Sequence, residues 1–175
     1  MVKIEITILE SANGVKFGSD PSEVHKVFGN SFKNYKNKKL TTSDNDFLLN
    51  VAERMAKISG RPVTDYTKYL KEETEFDYDP CDYYFFCMID YDANEHFNAI
   101  SVYANHKTTL IVNGKDCSDF NISTLKSFAD DFIWDSLTTS WTSYSKQISL
   151  FCPENQDIIE LVLFGCPEYY QNENK

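Results

Sequence analysis

The sequence lacks the short motifs that mark catalysis, phosphate binding or metal binding. Its five cysteines contain no C-x-x-C pair and its three histidines are scattered, so neither a zinc site nor a disulfide framework is indicated. A reducing cytoplasm is therefore the expected setting. We predict no catalytic residue, no metal and no cofactor.

Long hydrophobic runs are also absent. No stretch approaches the roughly 18 apolar residues that are typical of a membrane-spanning helix, and Glu5 lies inside the first apolar run. We expect a mature, soluble, cytoplasmic protein without a membrane partner. With 175 residues, of which 42% are hydrophobic, the chain is long enough for one domain with a sizeable core.

Lysine and arginine are missing from the middle of the chain. Residues 72–106 contain nine Asp and Glu and no basic residue, whereas residues 1–71 contain twelve basic and eight acidic residues. Such an acidic field repels nucleic acid and favours a basic partner. Solubility is the alternative explanation for the excess of acidic residues.

The most informative stretch, residues 81–104, forms a hairpin if the chain turns at residues 92–95 and Asp90 pairs with Phe97. This register sorts both strands consistently, because side chains alternate between the two faces of a strand. One face is predicted to be core and contains Phe85, Cys87, Ile100 and Val102. The other mixes carboxylates with aromatic rings, as protein-binding surfaces do, and contains Asp82, Tyr84, Phe86, Asp90, Phe97 and Tyr103.

A second hairpin is predicted near the C-terminus, from strands at residues 142–152 and 157–165. Pairing Leu150 with Ile159 places both side chains inside, and it places Trp141 and Glu160 outside. The same register puts Lys146 on the inner face, so either this lysine reaches solvent at an edge or the register is wrong.

Apolar periodicity predicts the remaining elements. Strands are expected over residues 2–9 and 108–112, and helices over residues 19–28, 44–59 and 121–133. The buried positions of the first helix are predicted to be Val24, Val27 and Phe28, and those of the last helix Leu125, Phe128, Ala129 and Phe132.

The two halves of the chain repeat one order of parts: a strand, an Asn-Gly pair, a helix and a long hairpin. The Asn-Gly pairs are at residues 13–14 and 113–114. We predict a single α+β domain with half repeats at residues 1–105 and 106–166, an insertion at residues 30–76 and a frayed polar tail at residues 167–175. Two tandem β-α-β-β halves would make one extended antiparallel sheet with helices packed on one face.

Residues 18–29 begin with glycine, contain Glu23-Val24 and end with glycine. This run resembles the helix signature of the small bacterial outer-membrane-assembly lipoprotein fold, which β-lactamase inhibitor proteins share in tandem form. No lipoprotein signal or lipobox cysteine is recognisable in these residues, so we do not expect the envelope lipoprotein role. The resemblance to the tandem form implies protein binding by an open sheet face. The acidic, tyrosine-rich composition also resembles immunity proteins of bacterial polymorphic or contact-dependent toxin systems, many of which neutralise basic nuclease toxins.

Three chemical signals are outweighed by plainer interpretations. Residues 90–94 have the D-x-D-x-N start of a calcium loop, but Glu95 stands where that loop needs glycine, so a hairpin turn is favoured. Cys87 and His96 lack the orienting residue of a nucleophile pair. On an amphipathic helix, His25 is more typical of a structural or surface residue than of a base.

We therefore predict a cytoplasmic immunity or inhibitor protein, without enzymatic activity, that binds a basic protein toxin and no nucleic acid. Carboxylates would mimic substrate phosphates and aromatic rings would supply buried area. The predicted partner-binding residues are Asp82, Tyr84, Phe86, Asp90, Phe97, Tyr103, Trp141 and Glu160. The alternatives are a small ligand-binding or enzymatic α+β domain and a structural adaptor; the oligomeric state stays open.

Overall fold

The computed structural model of the chain describes residues 2–31, 33–35, 53, 80–105, 107–153 and 156–172. The described helices are α1 (Pro21–Phe28), α2 (Ile122–Lys126) and α3 (Tyr169–Asn172). The described strands are β1 (Val2–Thr7), β2 (Ser11–Ala12), β3 (Val15–Lys16), β4 (Lys33–Tyr35), β5 (Cys81–Tyr83), β6 (Cys87–Tyr91), β7 (Phe97–Tyr103), β8 (Thr108–Val112), β9 (Lys115–Asp116), β10 (Ile133–Asp135), β11 (Ser140–Ser143), β12 (Ile148–Phe151) and β13 (Leu161–Gly165).

The chain divides into two compact units, residues 1–34 with 80–175 and residues 35–79. Apart from Tyr35 at the end of β4, all of these elements belong to the first unit. Within the helix predicted over residues 44–59 only Glu53 is described, and it is helical and exposed. Most of the predicted insertion lies outside the described residues.

The fold is α+β and rich in strands, as the sequence predicts. A small sheet has five strands in the order β3-β2-β1-β8-β9, and a large sheet has eight in the order β10-β11-β12-β13-β7-β6-β5-β4. Every pair from β10 to β5 in the large sheet is antiparallel. The predicted extended antiparallel sheet is this large sheet. The small sheet is additional, and in it β1 pairs with β8 in parallel.

Each Asn-Gly pair closes a two-residue hairpin. The φ angles are 49° and 79° at residues 13 and 14, and 48° and 79° at residues 113 and 114. Positive φ at both central positions is the type I′ geometry that Asn-Gly favours, because glycine adopts it without strain. The hairpins join β2 to β3 and β8 to β9 in the same relative register. This local correspondence agrees with the predicted repeat, although duplication itself stays a prediction.

The core lies between the small sheet and one face of the large sheet. Ile4 and Leu110 of the small sheet, Val24 of α1 and Leu125 of α2 belong to the same buried cluster as the large sheet's inner side chains. The helices α1 and α2 therefore pack on the inner side of the large sheet. The inner residues of the large sheet include Cys87, Ile89, Ile100, Val102, Ile148, Leu150, Val162 and Phe164.

The first hairpin differs from its predicted register in three ways. Asp90 pairs with Ala99 and not with Phe97, a shift of two residues that leaves the faces unchanged, so Cys87 lies in the core as predicted. The chain reverses at residues 84–86 and folds β5 back onto β6. A bulge then places Phe97 opposite Tyr91, which turns Phe97 into the core.

The predicted register of the C-terminal hairpin is wrong. Leu150 pairs with Val162 and not with Ile159, and this odd shift of three residues exchanges the faces of β13. The predicted first strand is also two strands, because the chain turns at residues 144–147. Lys146 lies exposed in that turn, which resolves the conflict with an inner position.

The helices agree with the predictions in part. In α1, Val24 is fully buried, but Val27 is 50% exposed and is therefore not a core residue. The predicted last helix is shorter than expected: α2 begins where the Asn121 side chain accepts a hydrogen bond from the Thr124 N–H, and it ends at Lys126. Phe128 and Phe132 follow the helix but still pack against the core.

The predicted frayed tail is wrong for residues 167–172, which form a turn and α3. Tyr169 is only 7% exposed, and the Tyr170 N–H donates to the Gln147 side chain at 2.8 Å. A Cβ atom at Gly165 would lie 2.6 Å from Tyr169, so the close packing of α3 on β13 needs glycine there.

Asp131 fastens the turn between β11 and β12. It accepts hydrogen bonds from the Ser143 hydroxyl at 2.5 Å, the Ser145 N–H at 2.8 Å and the Ser145 hydroxyl at 3.0 Å. Partial burial raises the pKa of Asp131, but these hydrogen bonds outweigh burial and hold the pKa below its ordinary value.

We expect Asp131→Asn to lower the free energy of unfolding by about 1 kcal/mol at neutral pH, because charge-assisted hydrogen bonds are lost at a site that solvent partly screens. Since the folded-state pKa lies below the unfolded value, this stabilisation is present above about pH 4 and is lost as the pH falls through the folded pKa. Urea unfolding at neutral and acidic pH measures the effect. The exposed neighbour Asp130, changed to Asn, is the control, and a deficit that persists unchanged in acid would contradict the expectation.

Candidate functional site

The face of the large sheet that points away from the core carries the most prominent candidate surface. We call Tyr83, Met88, Asp90, Tyr103 and Leu161 the open-face patch. All five are half-buried, and the strand register pairs Met88 with Tyr83 and Leu161 with Tyr103. Directly paired side chains on one face of a sheet are in contact range. The patch therefore forms a continuous surface of two phenols, two apolar side chains and one carboxylate.

Lys33 of the edge strand β4 is the one basic residue in the described strands of the large sheet. Strands β5, β6, β7 and β10 to β13 contain no Lys or Arg, and their carboxylates are Asp82, Asp90 and Asp135. Asp82 lies on the inner face, whereas the register places Asp90 and Asp135 on the open face. The strands therefore present an anionic and aromatic surface.

The two phenols of the patch stay protonated. Burial raises the pKa of Tyr103, and the nearby Cys87 and Asp90 raise it further. Burial and then the neighbouring Cys81 raise the pKa of Tyr83 in the same way. Both hydroxyl groups are therefore hydrogen-bond donors throughout the physiological pH range.

Ser101 lies beside the patch, between Met88 and Leu163 in the strand register. Its side chain is 1% exposed, and its hydroxyl has no hydrogen-bond partner among the described residues. Buried hydroxyl groups are normally paired within the protein or with bound water.

The structure brings only part of the predicted binding surface together. Asp90 and Tyr103 lie on the open face as predicted. Asp82, Tyr84 and Phe97 are 0%, 5% and 1% exposed, so the prediction that they form an exposed surface is wrong. The reversal at residues 84–86 changes the face of Asp82, and the bulge changes the face of Phe97.

The other three predicted residues do not join the patch. Phe86 is half-buried and packs against the core, with its ring 5.5 Å from that of Tyr84. Trp141 lies on the inner side, 5.4 Å from the Trp134 ring. Glu160 is exposed in the loop before β13. Whether these residues bind a partner stays a prediction.

Tyr83, Met88 and Leu161 are members of the patch that sequence reasoning missed. The predicted hairpin treats residues 81–91 as one strand. Alternation along this strand places Tyr83 on the core face with Phe85 and Cys87. The run of four aromatic residues at positions 83–86 interrupts the alternation of a half-buried strand. That interruption was the available signal for a turn.

Asp82 instead organises a buried polar cluster. It accepts hydrogen bonds from the Ser31 hydroxyl at 2.8 Å and the Tyr91 hydroxyl at 2.6 Å, and it contacts His25 Nε2 at 2.5 Å. Burial, followed by the hydrogen bond to Asp82, raises the pKa of Tyr91. The Tyr84 hydroxyl donates to the Gly29 carbonyl at 2.9 Å nearby.

The Asp82 cluster resembles the carboxylate-imidazole pair that positions a general base. Among the described residues, however, no serine or cysteine side chain is hydrogen-bonded to His25, and Ser31 donates to Asp82 instead. The contacts join α1 to the strand β5, which is a structural role for His25.

Comparisons of the chain with protein-family models, with curated proteins and with solved structures found no match. The similarity of residues 18–29 to the lipoprotein and inhibitor helix signature therefore stays a prediction.

Within the described ranges, no group of three or more potential metal ligands is present. None of the described helices is long and apolar enough to span a membrane.

We expect Asp82→Ala to lower the free energy of unfolding by about 3 kcal/mol, because it leaves the buried hydroxyl of Tyr91 and the side chains of Ser31 and His25 without their acceptor. Tyr91→Phe should cost less, about 1 kcal/mol, since the carboxylate keeps its other partners. Urea unfolding measures both values, with the exposed Asp130→Ala as the control. Equal stability of Asp82→Ala and this control would contradict a structural role for the cluster.

Proposed function

We propose that the chain is an inhibitor of the immunity-protein type, which neutralises a basic protein toxin by binding it with the open-face patch. The observation that carries this proposal is the composition of the patch: it combines two tyrosines, a methionine and a leucine with Asp90, and the strands that contribute these residues contain no Lys or Arg. Interfaces are enriched in tyrosine and methionine relative to other protein surface.

The neutral phenols of Tyr83 and Tyr103 suit binding to another protein in two ways. Their rings offer large apolar areas with few rotatable bonds, so little conformational entropy is lost when they are buried. Their hydroxyl groups donate hydrogen bonds to backbone carbonyls or carboxylates of a partner. Such half-buried aromatic side chains are typical binding hot spots.

Charge supports a basic partner. Asp90 and Asp135 lie on the open face, and residues 80–105 contain no Lys or Arg. A cationic protein approaching this face is attracted, whereas nucleic acid is repelled. The chain as a whole carries a net charge of −10, which adds to this attraction.

Genetic rescue tests the proposed class. The product of the gene adjacent to this one, expressed alone, should arrest growth if it is the toxin, and co-expression of the chain should restore growth. Purified proteins should then form a stable complex. Absence of both rescue and binding would count against an immunity role.

We expect Tyr103→Ala and Asp90→Lys each to weaken binding of the toxin by about tenfold or more, because one removes buried aromatic area and the other places a cation against a basic surface. Isothermal titration calorimetry measures the affinities. Asp130→Lys makes the same charge change at an exposed position near α2 and should leave binding within about twofold. If both patch variants bound like the unmodified chain, the open-face patch would not be the binding surface.

We also expect association to be sensitive to salt. The rate constant for association should fall by about tenfold between about 50 mM and 500 mM NaCl, because the Debye length shortens from about 14 Å to about 4 Å. The dissociation rate should change much less. Stopped-flow fluorescence measures both rates, and an association rate that ignores ionic strength would exclude electrostatic steering.

A further inference from the structure

A second feature of the open face lies at its other end, where α3 packs against strands β11 to β13. A cleft of 380 Å³ opens there and is lined by side chains that include Asp135, Thr142, Ser149, Tyr144 and Tyr170. Its volume is within the range of about 300–1,000 Å³ that binding sites for small organic groups occupy. The cleft is lined by hydroxyl groups and aromatic rings together with one carboxylate.

Five of these hydroxyl groups form a continuous chain of hydrogen bonds, which we call the hydroxyl row. Thr138 donates to the Asp135 carboxylate at 2.9 Å and contacts Ser140 at 2.8 Å. Ser140 contacts Thr142 at 3.3 Å. Thr142 contacts Ser149 at 2.7 Å, and Ser149 contacts the Tyr170 hydroxyl. The row exists because Ser140 and Thr142 share one face of β11, and Thr142 lies directly opposite Ser149.

The hydrogen bond from Thr138 to Asp135 fixes which hydroxyl group is the donor in every other hydrogen bond of the row. A carboxylate only accepts, and each hydroxyl group has a single proton to donate. Because Thr138 gives its proton to Asp135, Ser140 must donate to Thr138. By the same step Thr142 donates to Ser140, Ser149 donates to Thr142, and Tyr170 donates to Ser149.

All protons of the row are therefore oriented toward Asp135, and what the row can offer to a ligand is oxygen lone pairs. Hydrogen bonds from the Leu137 N–H and then from the Thr138 hydroxyl lower the pKa of Asp135, so the carboxylate is ionised at neutral pH. The hydroxyl row and Asp135 thus present hydrogen-bond acceptors and a negative charge. A matching ligand carries several donors and a positive charge.

We infer that this cleft binds a guanidinium group, that of an arginine side chain of the basic protein partner. This inference rests on the proposed function and adds the residue type that the partner inserts. Arginine has five N–H donors and no acceptor, which complements a surface of acceptors. Its charge is retained at every physiological pH.

Two tyrosine rings in the lining of the cleft also favour a cationic ligand. Tyr144 and Tyr170 lie 5.5 Å apart in an edge-to-face arrangement, and Tyr144 is 55% exposed. Aromatic faces attract guanidinium groups, which also stack on them. A neutral sugar is a poorer match, because the hydroxyl groups of a sugar need donors as well as acceptors and the row has no free proton to donate.

The test uses the full chain and the probe N-acetyl-arginine amide, with N-acetyl-citrulline amide as a neutral ligand of nearly the same shape. Titrations are followed by amide chemical shifts in nuclear magnetic resonance spectra. We expect the arginine probe to bind at least about tenfold more tightly than the citrulline probe and to shift resonances of Asp135, Thr142 and Tyr144. Equal affinities, or tighter binding of glucose than of the arginine probe, would overturn the inference.

Two variants locate the binding site. Asp135→Asn should abolish the preference for arginine over citrulline, since it removes the negative charge of the cleft. Thr142→Val interrupts the row without changing side-chain size and should weaken arginine binding by about threefold or more. Asp130→Asn is the matched control, and retention of the preference in Asp135→Asn would contradict the assignment.

Failure of this inference is distinguishable from failure of the proposed function. If the arginine probe does not bind but Tyr103→Ala still weakens the toxin complex, the cleft assignment is wrong and the proposed binding face stands. If the arginine probe binds as expected but neither Tyr103→Ala nor Asp90→Lys affects the complex, the cleft stands and the proposed patch is wrong.

Discussion

The pairing of β7 with β13 joins the strands of the first half of the chain to those of the second. Tyr103 lies opposite Leu161, and Ala99 lies opposite Gly165. Because side chains alternate along each strand, this one register decides which residues of the two halves share a face. It joins Leu161 of the second half to the open-face patch, and it places the patch and the hydroxyl row on the same side of the large sheet.

Each face of the large sheet contains a buried polar side chain, and the two side chains differ in their hydrogen bonds. On the inner face, Asp82 is fully buried and has hydrogen-bond partners from α1, from residue 31 and from β6. On the open face, the Ser101 hydroxyl is buried without a partner in the described part of the chain. Buried polar groups stabilise a fold when they are paired and destabilise it when they are not.

Local signals in the sequence predicted the local structure well. The Asn-Gly pairs predicted the two tight turns, and Asp20, Pro21 and Gly29 predicted the bounds of α1. Alternation placed Cys87, Ile100 and Val102 correctly in the core, but it was wrong for Phe85, which is 85% exposed in the turn at residues 84–86. These predictions succeed because each depends on a few neighbouring residues.

The candidate site was predicted only in part, because it depends on strand pairing. Asp90 and Tyr103 were assigned to the correct face, since a shift of two residues does not change the faces. The turn at residues 84–86 contains no Gly, Pro, Asn or Asp. Because these are the residue types that favour turns, residue type alone did not predict a turn there. The hydroxyl row links residues far apart in the chain, such as Ser149 and Tyr170. Periodicity within one strand cannot predict such a contact.

The bulge between β6 and β7 has a consequence for how this protein can change in evolution. One extra residue there already turns Phe97 into the core, on the same side as Ile100 and Val102. A further insertion or deletion within β7 would move Ile100 and Val102 to the solvent side and bring Ser101 and Tyr103 inside. We therefore expect natural variants to differ in loop lengths elsewhere but to keep the spacing between residues 97 and 103 constant.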